Sequence, residues 1–181
     1  MIDPAVGALL AGALALLFAS AALHKFRDPE RFAAAFQAYE VVPMPLAWVS
    51  RFVPMLELAV AVALLPARSR GGAATAGAAL LLAYAGAIAV NLGRGRRDLD
   101  CGCSGPSERR PIGMWMVWRN LLLAALLAAL RLPWSPRPFS AVDALTIGAG
   151  TAVVALLYMS LDALLGRAAP QIARLQDGSG G

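Results

Sequence analysis

The sequence predicts an all-α protein, a polytopic membrane helical bundle of four to five transmembrane helices. Three observations predict it. Of the 181 residues, 59 % are hydrophobic and only 15 % are charged, whereas a soluble domain carries about 25 % charged residues. The apolar residues are grouped in long runs of the length that crosses roughly 30 Å of hydrocarbon at about 1.5 Å per helical residue. Most arginines lie in the short connections between those runs, where they meet lipid headgroups. Mean hydropathy is +0.65. The runs leave no space for a soluble domain, so we expect one transmembrane domain over residues 1–165 and a disordered tail over 166–181.

The first run covers residues 4–23. Asp3 before Pro4 is a good helix start, because the carboxylate can cap and proline in the first turn loses no hydrogen bond. Ala19-Ser20-Ala21 resembles a leader-peptide cleavage site, but the run starts acidic and exceeds the roughly 7–15 apolar residues of a signal peptide. We expect a retained helix. Residues 24–45 form a polar connection in which Phe32, Phe36 and Tyr39 recur at helical spacing, predicting a short interfacial helix. The Val-Val-Pro-Met-Pro stretch ends it.

A second span is expected over 46–65, a tight turn over 66–72, and a third span over 73–92. Gly77 and Gly86 in the third span should let helix backbones approach closely in lipid. The connection 93–113 holds both cysteines and five arginines. The fourth span, 114–130, opens with Trp115 and Trp118 as interfacial anchors, and a fifth covers 141–165.

The net charge of +5 and pI near 10.0 do not indicate nucleic acid. A nucleic-acid face needs clustered cations on an exposed surface, and this chain offers mainly lipid-facing surface. Its first partner is the bilayer, and we expect a multi-pass protein of the cell membrane.

Alternating helix directions bring the first and third connections to one side. His24, Glu57, Asn91, Asp100, Arg119 and Asn120 all lie near that side, together with Cys101 and Cys103. Glu57 and Arg119 fall inside spans, where an ionisable group costs several kcal/mol unless paired. We therefore expect them to pair across the bundle. His24 is the only histidine and stands at a helix end, the usual place for an interfacial anchor.

Cys101-Gly102-Cys103 is the reactive feature. Packing cysteines would sit inside apolar spans, but these lie in a loop rich in Gly, Arg and Asp. A disulfide across one residue needs Cα atoms within about 7 Å, hence a sharp bend that Gly102 permits. Such a bond is strained, and strained disulfides are labile and oxidising. Structural stapling is a poor account, because stabilisation grows with loop length. Arg94, Arg96, Arg97, Arg109 and Arg110 favour a thiolate, while Asp98 and Asp100 oppose it. Two thiolates would also make half of a site for Cu(I) or Zn, and no second cysteine or histidine pair completes it. Thiol–disulfide redox, soft-metal handling and an incidental structural role all remain open on the residues alone.

The first run ends in Ala-Leu-His-Lys-Phe-Arg-Asp-Pro, followed by Phe32, then Tyr39-Glu40-Val41-Val42-Pro43, then Leu56-Glu57-Leu58. Asp100-Cys101-Gly102-Cys103-Ser104-Gly105 and Arg119-Asn120 come next. This order over residues 5–132 resembles the MauE proteins of methylamine utilisation, within the DoxX-like group of redox-associated membrane proteins. Ser104 departs from the pattern, since relatives often place an aromatic residue there. The resemblance implies a role in disulfide formation or maturation of an exported protein, methylamine dehydrogenase or a related client, with a thioredoxin-like partner. It makes Cys101 and Cys103 the catalytic pair of a thiol–disulfide oxidoreductase. A distant likeness to the four-helix core of vitamin K epoxide reductase would add a quinone as electron acceptor.

The other function classes are a soft-metal (Cu or Hg) transporter or chaperone using the same thiolates, and a non-catalytic scaffold that holds a redox partner at the membrane. Eleven cations fall on the cysteine side and four on the other. Short-loop cations normally stay in the cytoplasm, whereas disulfide chemistry belongs outside it. We expect the outside placement, with charges of an embedded first connection locally neutralised.

Overall fold

The first helix begins where Asp3 caps it. In the computed structural model, which describes residues 3–41, 44–99, 111–132 and 140–178, the Asp3 carboxylate accepts from the Ala5 N–H at 2.8 Å. Helix α1 then runs Pro4–Arg27, one turn beyond the predicted span. It stops at Asp28, whose side chain accepts from the Arg31 N–H at 3.1 Å and so caps the next helix. Helix α2, Pro29–Ala38, is the expected short helix of the first connection, with Phe32 and Phe36 rings 6.2 Å apart.

The second span is not one continuous helix. A 3₁₀ segment, Met44–Arg51, passes at Phe52 into α3, Val53–Leu64. Pro54 lies in the first turn of α3, where it has no N–H to carry an α-helical ladder back into the preceding turn. Twelve residues rise only about 18 Å, so α3 needs the 3₁₀ segment to cover the apolar thickness.

The predicted turn over 66–72 is instead mostly helix: α4 spans Ala67–Gly93. The physical reason lies in the carbonyls at the end of α3, which have no partners within that helix. Ser69 Oγ donates to Ala63 O at 2.8 Å, Arg70 Nε to Leu64 O at 3.2 Å and Arg70 Nη2 to Leu65 O at 3.0 Å. The polar residues that read as a turn are the first turn of α4 capping α3.

Helix α5 is Met114–Ala129, and α6 is Ala141–Gly178. The helical backbone of α6 thus continues past Gly166 into the segment expected to be a disordered tail. Every described element is helical. Among the described residues three helices are long and apolar enough to cross a bilayer: α1, α4 and the Ala141–Leu161 part of α6, with α5 a shorter apolar helix. The fold is a membrane helical bundle.

Its core joins Ala11, Leu14, Ala15 and Phe18 of α1 with Val60 and Leu64 of α3, Ala74 and Leu81 of α4, and Leu123 and Leu127 of α5. Small residues matter here, because helices in lipid associate by close packing rather than by the hydrophobic effect. Gly77 sits at the crossing. A Cβ there would lie 3.1 Å from Leu127, 3.1 Å from Val60 and 3.2 Å from Phe18. Gly86 faces open space, so of the two glycines expected at a close approach only Gly77 is at one. Helix α6 leans on α1, with Gly12 against Thr151 and Gly150 against Leu9. Its other faces expose Leu145, Leu156 and Leu157, as suits a helix bathed in lipid.

Candidate functional site

Two polar networks lie toward the cysteine side of the bundle. The first is inside it. Lys25, in the last turn of α1, donates through Nζ to Glu57 Oε1 at 2.6 Å and Oε2 at 2.8 Å. Tyr84 of α4 donates to Glu57 Oε1 at 2.8 Å. Lys25 is 3 % exposed and Glu57 1 %. The ammonium also lies 5.2 Å from the Phe32 ring centroid and 5.5 Å from that of Tyr84, within reach of cation–π attraction. One carboxylate and one ammonium therefore tie α1, α2, α3 and α4 together.

Glu57 is thus buried and paired, as an ionisable group inside a span must be, but its partner is Lys25 and not Arg119. Helix α3 packs on α1 and α4, so its carboxylate meets groups from those helices. Arg119 is on α5, with its guanidinium carbon 5.2 Å from the Trp115 ring centroid. Lys25 and Tyr84 were missed because a lysine at a span's end reads as a headgroup anchor and a lone tyrosine as packing. The signal was available: Lys25 is the only lysine, two residues beyond the first apolar run.

The second network surrounds the stem of the cysteine loop. Helix α4 ends in a Schellman motif, in which Gly95 at φ +76 donates to Leu92 O and the Arg96 N–H to Asn91 O, each at 3.0 Å. Glycine adopts this left-handed position without steric cost. Asn91, fully buried, donates through Nδ2 to Tyr39 O at 2.9 Å and Ala87 O at 3.0 Å. Arg96 forms an ion pair with Glu40, Nη1 to Oε2 at 2.9 Å and Nη2 to Oε1 at 3.1 Å. Beyond Arg96 the chain reaches Leu99, whose carbonyl accepts from the Ile112 N–H at 3.1 Å. That hydrogen bond closes the base of the segment 100–111.

The stem rests on a small apolar cluster of Ala85, Ile88, Ile112, Met116 and Val117, flanked by Tyr39, Leu92, Leu99 and Trp115. Beside it opens a cleft of about 370 Å³ lined by Ala89, Leu92, Gly93, Arg97, Ile112, Gly113 and Met114. Asp100, Cys101 and Cys103 themselves lie outside the described residues. Of the other candidates, Asn91 belongs to the stem network, Asn120 is buried on α5 at 3 % exposure, Arg119 is half-buried, and His24 is exposed in the last turn of α1.

These features define a class: a small helical-bundle membrane protein with a buried ion pair in its core and a polar network where α4 ends. The family model "Methylamine utilisation protein MauE" matches residues 3–135, so the chain belongs to the MauE family. It is 37 % identical over 167 residues to the methylamine utilization protein MauE of Methylophilus methylotrophus, covering 91 % of this chain and 88 % of that protein. The MauE of Paracoccus denitrificans is 39 % identical over 178 residues, covering 96 % and 94 %. That of Paracoccus versutus is 38 % identical over 166 residues, covering 91 % and 89 %. No solved structure matches. The family match stops before α6, in keeping with the position of that helix outside the four-helix core.

Proposed function

We propose that this chain is a membrane thiol–disulfide redox protein that helps an exported protein of methylamine utilisation acquire its disulfides, working with a thioredoxin-like partner. The observation that carries the reading is that Cys101-Gly102-Cys103 fall in sequence between Leu99 and Ile112, two residues joined by a backbone hydrogen bond of 3.1 Å at the end of the bundle. A reactive pair in a connection whose two flanks are joined in this way can meet a soluble partner while those flanks stay fixed in the membrane protein.

The chemistry balances as an exchange. With Cys101 and Cys103 joined, a partner thiolate attacks one sulfur and breaks the bond, giving a mixed disulfide and a cysteine thiolate on this chain. The partner's second thiolate then attacks its own bridged sulfur and releases the dithiol. Two electrons pass from partner to Cys101 and Cys103, and the two protons the partner thiols lose end on the released pair. Restoring the disulfide requires a two-electron acceptor, and a lipid-soluble quinone is the class suited to a protein of this surroundings.

The test is a Cys103→Ser variant expressed with its neighbouring genes. Trapping of a thioredoxin-like protein through Cys101, or through Cys103 in the reciprocal Cys101→Ser variant, supports the proposal. Loss of copper or mercury uptake without any trapped protein would replace it with soft-metal transport. Full activity without either cysteine would leave a scaffold.

A further inference from the structure

Among the described residues Glu40 is the only non-glycine residue with positive φ, at +48. Glu40 stands one residue past Tyr39, the C-cap of α2, and its N–H donates to Gln37 O at 3.0 Å, so its left-handed turn is the one that ends that helix. Three contacts converge at this corner. The Glu40 carbonyl accepts from Arg94 Nη1 at 3.4 Å, its carboxylate takes the fork of Arg96, and the preceding carbonyl, Tyr39 O, takes the amide of buried Asn91. All three donors stand at the end of α4, where the chain turns toward the cysteine loop. Asn91 Oδ1 also lies 3.5 Å from Arg96 Nη1, so the buried amide and the exposed carboxylate hold the same guanidinium.

An ordinary surface ion pair between flexible side chains contributes little. Here both partners have limited freedom. Glu40 stands on a constrained backbone, and Arg96 has its N–H in the Schellman motif. The fork geometry is bidentate, the stronger form of this interaction. The turn itself ends α2, but packing within the bundle does not need the Glu40 side chain, which is 67 % exposed.

We propose that Glu40 is a positioning residue for the cysteine loop: by holding Arg96 it fixes the direction in which the chain departs from α4 toward Leu99, and so sets how readily the loop's thiols are reached. The significance for catalysis rests on the redox reading above, but the positional effect does not. Glu40 acts through Arg96.

The experiment measures the rate at which a maleimide labels the reduced cysteines of the full-length protein in lipid nanodiscs. Glu40→Gly, which relieves the backbone and removes the fork, and Arg96→Glu should each change the labelling rate by about three- to fivefold, the worth of one well-formed exposed ion pair. The melting temperature should stay near that of the native chain. The charge-swapped double variant, Glu40→Arg with Arg96→Glu, should bring the rate back toward the native value. Glu40→Gln, which keeps size and one hydrogen bond, should fall between and serves if Glu40→Gly fails to accumulate. Native labelling rates in all the variants, or no recovery in the charge swap, overturns the proposal. Dispensable cysteines with responsive labelling would sink only the redox reading; normal trapping of a partner with unresponsive labelling would sink only the role of Glu40.

Discussion

Lys25 Nζ lies 2.6 Å from Glu57 Oε1, joining the last turn of α1 to the first turns of α3 with both groups out of solvent. Taking two charges from water is costly, and their attraction offsets this only when geometry is good and the remaining sites are satisfied. Here Glu57 takes Lys25 on both oxygens and Tyr84 on one. Removing one partner strands the other. Glu57→Gln and Lys25→Met should each destabilise the bundle by about 3–5 kcal/mol, while the double change Lys25→Met with Glu57→Gln should cost less than the sum of the two single changes. Thermal unfolding in detergent across this cycle measures the coupling; additive effects would remove it.

Tyr84→Phe leaves the ion pair in place and deletes only the hydroxyl. A hydrogen bond to a charged group contributes about 1.5–3 kcal/mol, so this variant should be destabilised by less than Glu57→Gln in the same melts. A Tyr84→Phe effect equal to that of Glu57→Gln would mean that Tyr84, and not Lys25, is the main partner of the carboxylate.

Much of this was legible in the sequence, and the gaps have physical causes. Long apolar runs announce helices because lipid leaves the backbone no other way to satisfy its polar groups, and alternation of helix direction placed Asn91 and the cysteine connection at one end. Glu57 read as an interior group needing a partner, since a carboxylate inside a span cannot stand alone. Its partner did not, because pairing depends on which helices touch, and spacing along the chain does not encode that. Likewise Ser69 and Arg70 looked like a turn because polarity and helix capping draw on the same residue types. The left-handed turn at Glu40 was invisible: it ends α2, but glutamate, unlike glycine, does not announce such a turn in the sequence.

Gly77 supplies a test of packing that is independent of charge. A Cβ there meets Leu127, Val60 and Phe18 at 3.1–3.2 Å, from three different helices, so no single neighbour can yield without moving another. Overpacking of this kind costs about 1–3 kcal/mol. Gly77→Ala should lower the melting temperature and Gly77→Val should lower it further, whereas Gly86→Ala, placed in open space, should leave it unchanged or raise it slightly through helix propensity. Equal tolerance at the two glycines would show that α1, α3, α4 and α5 do not converge at residue 77.

The redox proposal puts the cysteine connection outside, against a charge count that two ion pairs reduce from eleven to nine on that side, with four on the other. The positive-inside rule counts cations in short connections, and by that count the cysteine side should be cytoplasmic. Two of those cations are not available to respond in the folded chain: Lys25 is neutralised by Glu57 inside the bundle, and Arg96 is paired with Glu40. Together with the amphipathic setting of α2, these pairs weaken the inward signal on the side where a disulfide-forming pair must face an oxidising compartment. A membrane-impermeant maleimide should therefore label Cys103 in intact cells after mild reduction, and a cysteine introduced at Ser69, in the opposite connection, should be labelled only after the cells are opened. Inverted labelling would put the thiols in the reducing cytoplasm and leave the redox reading without the oxidising surroundings it needs.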